Sequence, residues 1–316
     1  MKLAEEADEA LGIDEDIESR MLEVRSKYTV VSLTSKIFKP LHYINNGSRG
    51  QYVDIFKDQL GILDGKHKEV LAANTYEDLG LLNENLAPVK RKGEWYYVDE
   101  KSYRKLVPDH PAEYLGIFNS GYAPAKFDGK YGYVDKKLKE YHFEYEYAGC
   151  FESEIAPVKK DGKWMVINTS FAPVTEDRFD EVLCDGYGFC STYGVFIAKK
   201  DGKYYVYDKQ GNVKSEGFED AKMFASAQPA AMKKDGKWCF VSTEGEIVLT
   251  TDYEDANSFS LGYAPVSDGE KWGCIDQRAH VLIPLQFDTM EPFTKNGYAV
   301  VTLDEVMQYV AVNTYD

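Results

Sequence analysis

Segments of one pattern return along this chain every 32 to 40 residues. A chain organised that way can fold only as copies of one small unit packed against each other. The copies align on an aromatic slot. DGKWMVIN, DGKWCFVS, GEKWGCID and KGEWYYVD place Trp164, Trp238, Trp272 and Trp95 there, which are all four tryptophans of the chain. DGKYGYVD and DGKYYVYD place Tyr131 and Tyr204 in the same position, and weaker copies place Leu60, Tyr309 and Tyr28. Seven residues upstream, Pro88, Pro124, Pro157 and Pro265 sit in short apolar segments such as LAPVKR and YAPAKF. Downstream comes an aromatic residue followed by an acid, any residue and a small or apolar one, beginning at Tyr76, Tyr145, Phe179, Phe218, Tyr253 and Phe287. In four copies a phenylalanine follows six residues later, at Phe151, Phe224, Phe259 and Phe293.

Each recurring residue type has a physical role. Asp128-Gly129, Asp161-Gly162, Asp201-Gly202 and Asp235-Gly236 lie between apolar runs, where both residues can adopt positive φ and close a two-residue hairpin. The acid or amide four residues past the slot, as at Asp99, Asp135, Asn168, Asp208 and Asp276, is placed to accept hydrogen bonds from the next turn. Proline cannot donate to a sheet ladder, so the prolines should mark strand starts or edges. Strands such as WMVIN are apolar on both parities, which predicts small sheets covered on both faces and tryptophans that are mostly buried. The expected fold is therefore all-β, a tandem array of small antiparallel sheets stacked face to face like a β-propeller, with an open β-solenoid superhelix as the alternative. Residues 1–20 are expected to form an acidic, partly helical leader, and residues 21–316 the repeat domain of about eight complete units plus a half unit.

The consensus ApVkkdGKWGyvD, followed by an apolar strand and FDxAxxF, resembles the WG-repeat proteins of bacteria over roughly residues 20–316. Only Trp272-Gly273 keeps the literal dipeptide, with Tyr131-Gly132 and Leu60-Gly61 as partial matches. The resemblance implies a binding scaffold without a shared catalytic motif.

The formal charge of −16 repels a phosphate backbone or an anionic membrane, so nucleic acid and lipid are not expected partners. A protein with a basic surface is the better match. No run of about 18 apolar residues occurs, and the first residues are acidic, so a cytoplasmic location is expected. The five cysteines are odd in number and contain no CxxC pair, which points to reduced thiols. The five histidines are scattered, and neither a metal site nor a cofactor is predicted. Acid pairs such as Glu219-Asp220 and Glu254-Asp255 recur in register, and a feature present in every copy reads as structural rather than catalytic.

The departures from the repeat are then the informative places. The longest spacing holds EVLCDGYGFCSTYG, residues 181–194, where glycines flank Tyr187, Phe189 and Tyr193. That composition suits an adaptable binding loop, and these three residues are the expected binding site; the opposing reading is a packed loop whose rings cover a sheet edge. A second irregular stretch, Pro108-Asp109-His110-Pro111, lengthens a turn. The function expected from sequence is a non-enzymatic scaffold for a protein partner. The alternative is a small-ligand or glycan-binding protein, which would require slot aromatics exposed in equivalent places.

Overall fold

The computed structural model describes residues 28–32, 39–40, 52–56, 59–63, 69–293 and 297–312; the leader at residues 1–20 lies outside them. The described residues form eight small antiparallel sheets and no helix. In chain order, sheet 1 comprises Lys39–Pro40, Tyr52–Phe56, Gln59–Leu63 and Glu69–Tyr76. Sheet 2 comprises Asp78–Leu79, Leu86–Arg91, Glu94–Asp99 and Lys105–Leu106. Sheet 3 comprises Tyr114–Leu115, Tyr122–Phe127, Lys130–Asp135 and Glu140–Tyr145, and sheet 4 comprises Tyr147–Ala148, Ile155–Lys160 and Lys163–Asn168. Sheet 5 holds Glu181–Val182, Ser191–Thr192, Val195–Lys200 and Lys203–Asp208. Sheet 6 holds Asp220–Ala221, Ala230–Lys234, Lys237–Val241 and Ile247–Thr250, and sheet 7 holds Asp255–Ala256, Tyr263–Ser267, Trp272–Asp276 and Val281–Phe287.

Sheet 8 decides between ring and open stack. It contains Thr289–Met290, Tyr298–Leu303 and Val306–Val312 from the end of the chain, and its fourth strand is Tyr28–Ser32 from the beginning, paired from Tyr28↔Val312 to Ser32↔Gln308. The surplus slot at Tyr28 is thus the missing strand of the last unit. The two ends of the chain share one sheet, so the array closes into a propeller-like ring and is not an open superhelix.

Within a unit, the predicted hairpins form as type I′ turns: Asp128 and Gly129 have φ of 46° and 76°, and the other three Asp-Gly pairs fall within a few degrees of these. The acid that opens each unit has a specific partner there. Glu113, Glu146, Asp180 and Glu219 each accept a hydrogen bond from the N–H of the hairpin glycine, at 2.6, 2.9, 3.4 and 3.0 Å. The recurring acid is therefore a turn clamp, which accounts for its repetition. The residue four past the slot also behaves as expected, since Asp135, Asn168, Asp208 and Asp276 each accept two turn N–H groups.

The prolines correct one expectation. Pro88, Pro124 and Pro157 lie inside the second strand of their sheets, paired with Tyr97, Tyr133 and Val166. Their carbonyls accept from the N–H of Gly80, Gly116 and Gly149, each the residue just past the short first strand, at 2.9, 2.7 and 2.8 Å. A strand residue points its N–H and C=O to the same side, so the absent donor faces that first strand, and the first strand ends there.

Cores lie between successive sheets. Trp95, Tyr97 and Leu86 of sheet 2 pack with Leu115, Phe118, Ala123 and Ala125 of sheet 3, and the pattern repeats around the ring. The fully buried tyrosines satisfy their hydroxyls on the neighbouring sheet, Tyr97 donating to Gly116 O and Tyr133 to Gly149 O, both at 3.0 Å. Trp95 and Trp238 are buried as expected; Trp164 and Trp272, in the same slot, are only part-buried.

Candidate functional site

The first strand of each unit and the turn after it lie at the inner end of the sheets, and their residues show where the ring converges. Leu81, Ile117, Cys150 and Phe189, from sheets 2, 3, 4 and 5, are fully buried in one cluster. Four successive sheets can meet in this way only at their inner ends.

The insertion in unit 5 supplies the fourth member of that cluster. After Val182 the chain loops through Cys184–Gly188 and returns with Phe189 beside Cys150, the two residues forming a parallel bridge. Asp185 shapes the loop, accepting from the N–H of Tyr187 at 2.9 Å and of Phe189 at 3.0 Å. The Cys150 N–H donates to Gly188 O at 2.9 Å and its thiol donates to Tyr187 O at 3.2 Å. The contact is backbone against backbone: a Cβ on Gly149 would stand 2.2 Å from Gly188 O, and Gly188 itself has φ of +86°. Only glycine fits both positions.

The structure therefore separates the three residues singled out from sequence. Phe189 is fully buried and belongs to the core, so it is not a contact residue; the adaptable loop expected there is a docked one. Tyr187 is half-buried against the inner cluster. Tyr193 is 50% exposed in a left-handed turn position, φ 53°, at the end of sheet 5 remote from its hairpin. Tyr187 and Tyr193 do not share a surface. Cys190 takes the core position that Phe118 and Phe151 occupy in their units, packed with Phe179, Phe196 and Tyr207.

All five thiols are free. Burial pushes Cys150, Cys184, Cys190 and Cys274 well above the ordinary thiol range, and Cys239 up to about 11, so none is poised as a thiolate nucleophile. Among the described residues no group of three or more His, Cys, Asp or Glu side chains is arranged to hold a metal ion. No helix of the described residues is long and apolar enough to cross a membrane.

What sequence reading missed is a row of residues beside the hairpin turns, visible only once the register is known. In sheet 3 the row is Tyr114, Lys126, Tyr131; in sheet 4, Tyr147, Lys159, Trp164; in sheet 5, Glu181, Lys199, Tyr204; in sheet 6, Asp220, Lys233, Trp238. The lysines lie over the slot rings, with Nζ 5.6 Å from Tyr131, 5.9 Å from Trp164 and 5.0 Å from Tyr204. The innermost residue of the row changes from unit to unit: Asp78, Tyr114, Tyr147, Glu181, Asp220, Asp255, Thr289. In sheets 2 to 4 the rings join into a continuous ladder, Trp95 to Tyr114, Tyr131, Tyr147 and Trp164, with centroid separations of 5.7, 6.0, 5.7 and 5.1 Å.

The family described as "WG containing repeat" matches residues 61–95, 131–164, 240–272 and 272–305. No curated protein matches the sequence. Among solved structures, a eukaryotic initiation factor is similar at 11% identity over 91% of this chain and 94% of that one, with a TM-score of 0.54. KlHsv2 with loop 6CD replaced by a Gly-Ser linker is similar at 8% identity over 91% and 98%, with a TM-score of 0.46. The dihydro-heme d1 dehydrogenase NirN in complex with DHE is similar at 12% identity over 92% and 78%, with a TM-score of 0.43.

Proposed function

Because the chain is a WG-repeat protein whose sheets close into a propeller-like ring, we propose that it is a non-catalytic scaffold binding a protein partner across the rim that carries the hairpins. The observation that carries this reading is the innermost row position. Turn clamps recur because the unit needs them and the lysine recurs in sheets 2 to 6, whereas the innermost position changes from unit to unit among carboxylates, tyrosines and Thr289. A repeat that holds its core and varies one surface ring suits recognition of a single asymmetric partner. Asp78, Glu181, Asp220 and Asp255 on that ring, together with the formal charge of −16, favour a basic partner surface.

The glycan alternative needs slot aromatics exposed in equivalent places, and Trp95, Tyr204 and Trp238 are buried. Buried, neutral thiols suit both a non-enzymatic role and a reducing, cytoplasmic setting. The test is affinity capture from the native host, identification by mass spectrometry, and reconstitution with the purified partner. Asp220→Lys together with Asp255→Lys should abolish binding of a basic partner while leaving melting unchanged. Wild-type affinity in that variant would remove the rim from the interface.

A further inference from the structure

The turn that leaves the slot strand, at the end of each sheet remote from its hairpin, closes on a residue with positive φ. In units 2 to 7 these residues are Tyr103, Leu138, Phe171, Gly211, Gly245 and Ala279, with φ from 54° to 85°. Glycine suits this backbone, and a side chain holds it at a cost. In units 3 and 4 the large side chain offsets that cost by packing on the unit before. Leu138 joins the core between sheets 2 and 3, and Phe171 stacks on Tyr141 at 5.5 Å, with Tyr122 and His142 at 5.0 and 4.7 Å.

Tyr103 departs from this pattern. Its turn is held by the Tyr103 N–H donating to Asp99 O at 2.9 Å and the Asp99 N–H donating to Arg104 O at 3.0 Å. Yet its ring is 67% exposed, the most of any large apolar side chain among the described residues. A ring left in water offsets little of its backbone strain, and strain held at the surface points to use. Val107, at 61%, is the second most exposed. Between the two, Leu106 turns into the core, so Lys105 and Val107 face outward along the edge strand of sheet 2. Tyr193 and Leu261 also combine exposure with positive φ, but each stands between a hydroxyl residue and a glycine, without cations beside it.

Cations surround Tyr103. Lys101, Arg104 and Lys105 are all exposed; Lys101 and Arg104 have no ion pair among the described residues, and Lys105 lies over Tyr96 at 4.4 Å. The acids of the same segment are Asp99 and Glu100, and Asp99 is turned to its own loop. Its Oδ1 accepts from the N–H groups of Lys101 and Ser102 and from the Ser102 hydroxyl, at 3.1, 2.8 and 2.7 Å. Although the chain carries −16, charges farther than about 8 Å are largely screened at physiological ionic strength, so the local cations govern a contact here.

We propose that Tyr103, Arg104 and Val107, with Lys101 and Lys105 beside them, form a second docking surface, for an extended acidic segment of a protein partner that carries one apolar side chain among its carboxylates. The ring and Val107 cover the apolar side chain, while the guanidinium and ammonium groups pair with the carboxylates; tyrosine and arginine are the residues that dominate interface hot spots. Tyr103 to Val107 spans roughly 13 Å, the length of about four extended residues, and the edge strand leaves room alongside for such a segment. This surface lies at the opposite end of the sheets from the hairpin rim and has the opposite charge. A scaffold using both would bridge a basic partner and an acidic one.

The probes are fluorescein-labelled peptides: six glutamates with one leucine at the centre, the same peptide with glutamine in place of every glutamate, and six glutamates alone. An oligothymidylate of equal charge is the nucleic-acid counterpart. Anisotropy is read with the full chain at physiological ionic strength, and the acidic peptide with leucine should bind best. Tyr103→Gly should weaken it about tenfold or more while preserving or raising the melting temperature, because glycine takes a φ of 54° without strain. Arg104→Gln should weaken it several-fold, whereas Lys214→Gln, which removes a charge in unit 5, should not. Wild-type affinity in Tyr103→Gly, equal losses in Arg104→Gln and Lys214→Gln, or tighter binding of the glutamine peptide or the oligothymidylate overturns the proposal. A lowered melting temperature in Tyr103→Gly overturns it as well, since the ring would then be structural. None of these results bears on the hairpin rim, which the Asp220 and Asp255 variants test with the captured partner.

Discussion

Phe189→Ala should be among the most damaging substitutions in the chain, although Phe189 lies in a glycine-rich insertion. Its ring is fully buried where sheets 2, 3, 4 and 5 converge, against Leu81, Ile117 and Cys150. Truncating a buried phenylalanine costs about 3–5 kcal/mol, depending on how far the surroundings collapse into the space left. Collapse is restricted here, because the three neighbours belong to three different sheets, each fixed by its own ladder and by the core behind it. The upper part of that range, about 4–5 kcal/mol, is therefore expected. Urea denaturation followed by tryptophan fluorescence measures it. Tyr193→Ser, at a half-exposed turn position, provides the comparison and should remain within about 0.5 kcal/mol of wild type. A loss below about 1 kcal/mol in Phe189→Ala would show that the insertion is not part of the converging core.

Gly149→Ala should lift the insertion off sheet 4, because the new Cβ would stand 2.2 Å from Gly188 O; a loss of about 1–3 kcal/mol with faster proteolysis between residues 184 and 188 is expected, and unchanged melting would contradict the docking. Deleting residues 1–20 should leave the melting temperature within a few degrees, whereas deletion through Ser32 removes the strand that closes sheet 8 and should lower it sharply; equal melting of the two truncations would refute closure. The hydrogen bond and charge of Glu140 raise the pKa of His110, so its NMR titration should lie above 6.5 and move down in Glu140→Gln. The folded-state pKa is the higher one, so this pair's contribution is complete below the unfolded-state pKa and lost as pH rises through the folded-state value. Ala279 holds φ of 64° at an exposed turn position where Gly211 and Gly245 stand in their units, and Ala279→Gly should stabilise by about 0.5 kcal/mol in thermal melting; a loss would show that the turn tolerates a side chain without strain.

Much of the fold was legible in the residues because the unit is short and its signals are local. Asp-Gly at a hairpin, an acid four residues past the slot and short strands apolar on both parities act through neighbours a few residues away, and repetition multiplies each signal. The prolines misled because their effect is exerted across the sheet: Pro88 shortens the strand beside it rather than its own. The split among the tryptophans was hidden for a similar reason, since Trp164 and Trp95 share a slot yet differ in how far the neighbouring sheet covers the ring. Site residues were the least legible. Glycines around aromatics suggested a free loop, but whether Phe189 faces solvent depends on Gly149, 40 residues earlier, which lets the two backbones touch.

The sequence by itself determined the unit, its period, its turns and the number of copies, because each of these is set by short-range sterics and hydrogen bonding that one segment carries alone. It also determined that the thiols are unpaired in any local motif and that the charge is strongly negative. Only the tertiary structure decided that the half unit at Tyr28 completes the unit at the other end of the chain, since that pairing joins residues some 280 positions apart. It likewise decided that Leu81, Ile117, Cys150 and Phe189 meet in one buried cluster. Those residues lie in different copies, and what brings them together is the convergence of the sheets toward the ring's inner end, a geometry that no single repeat contains.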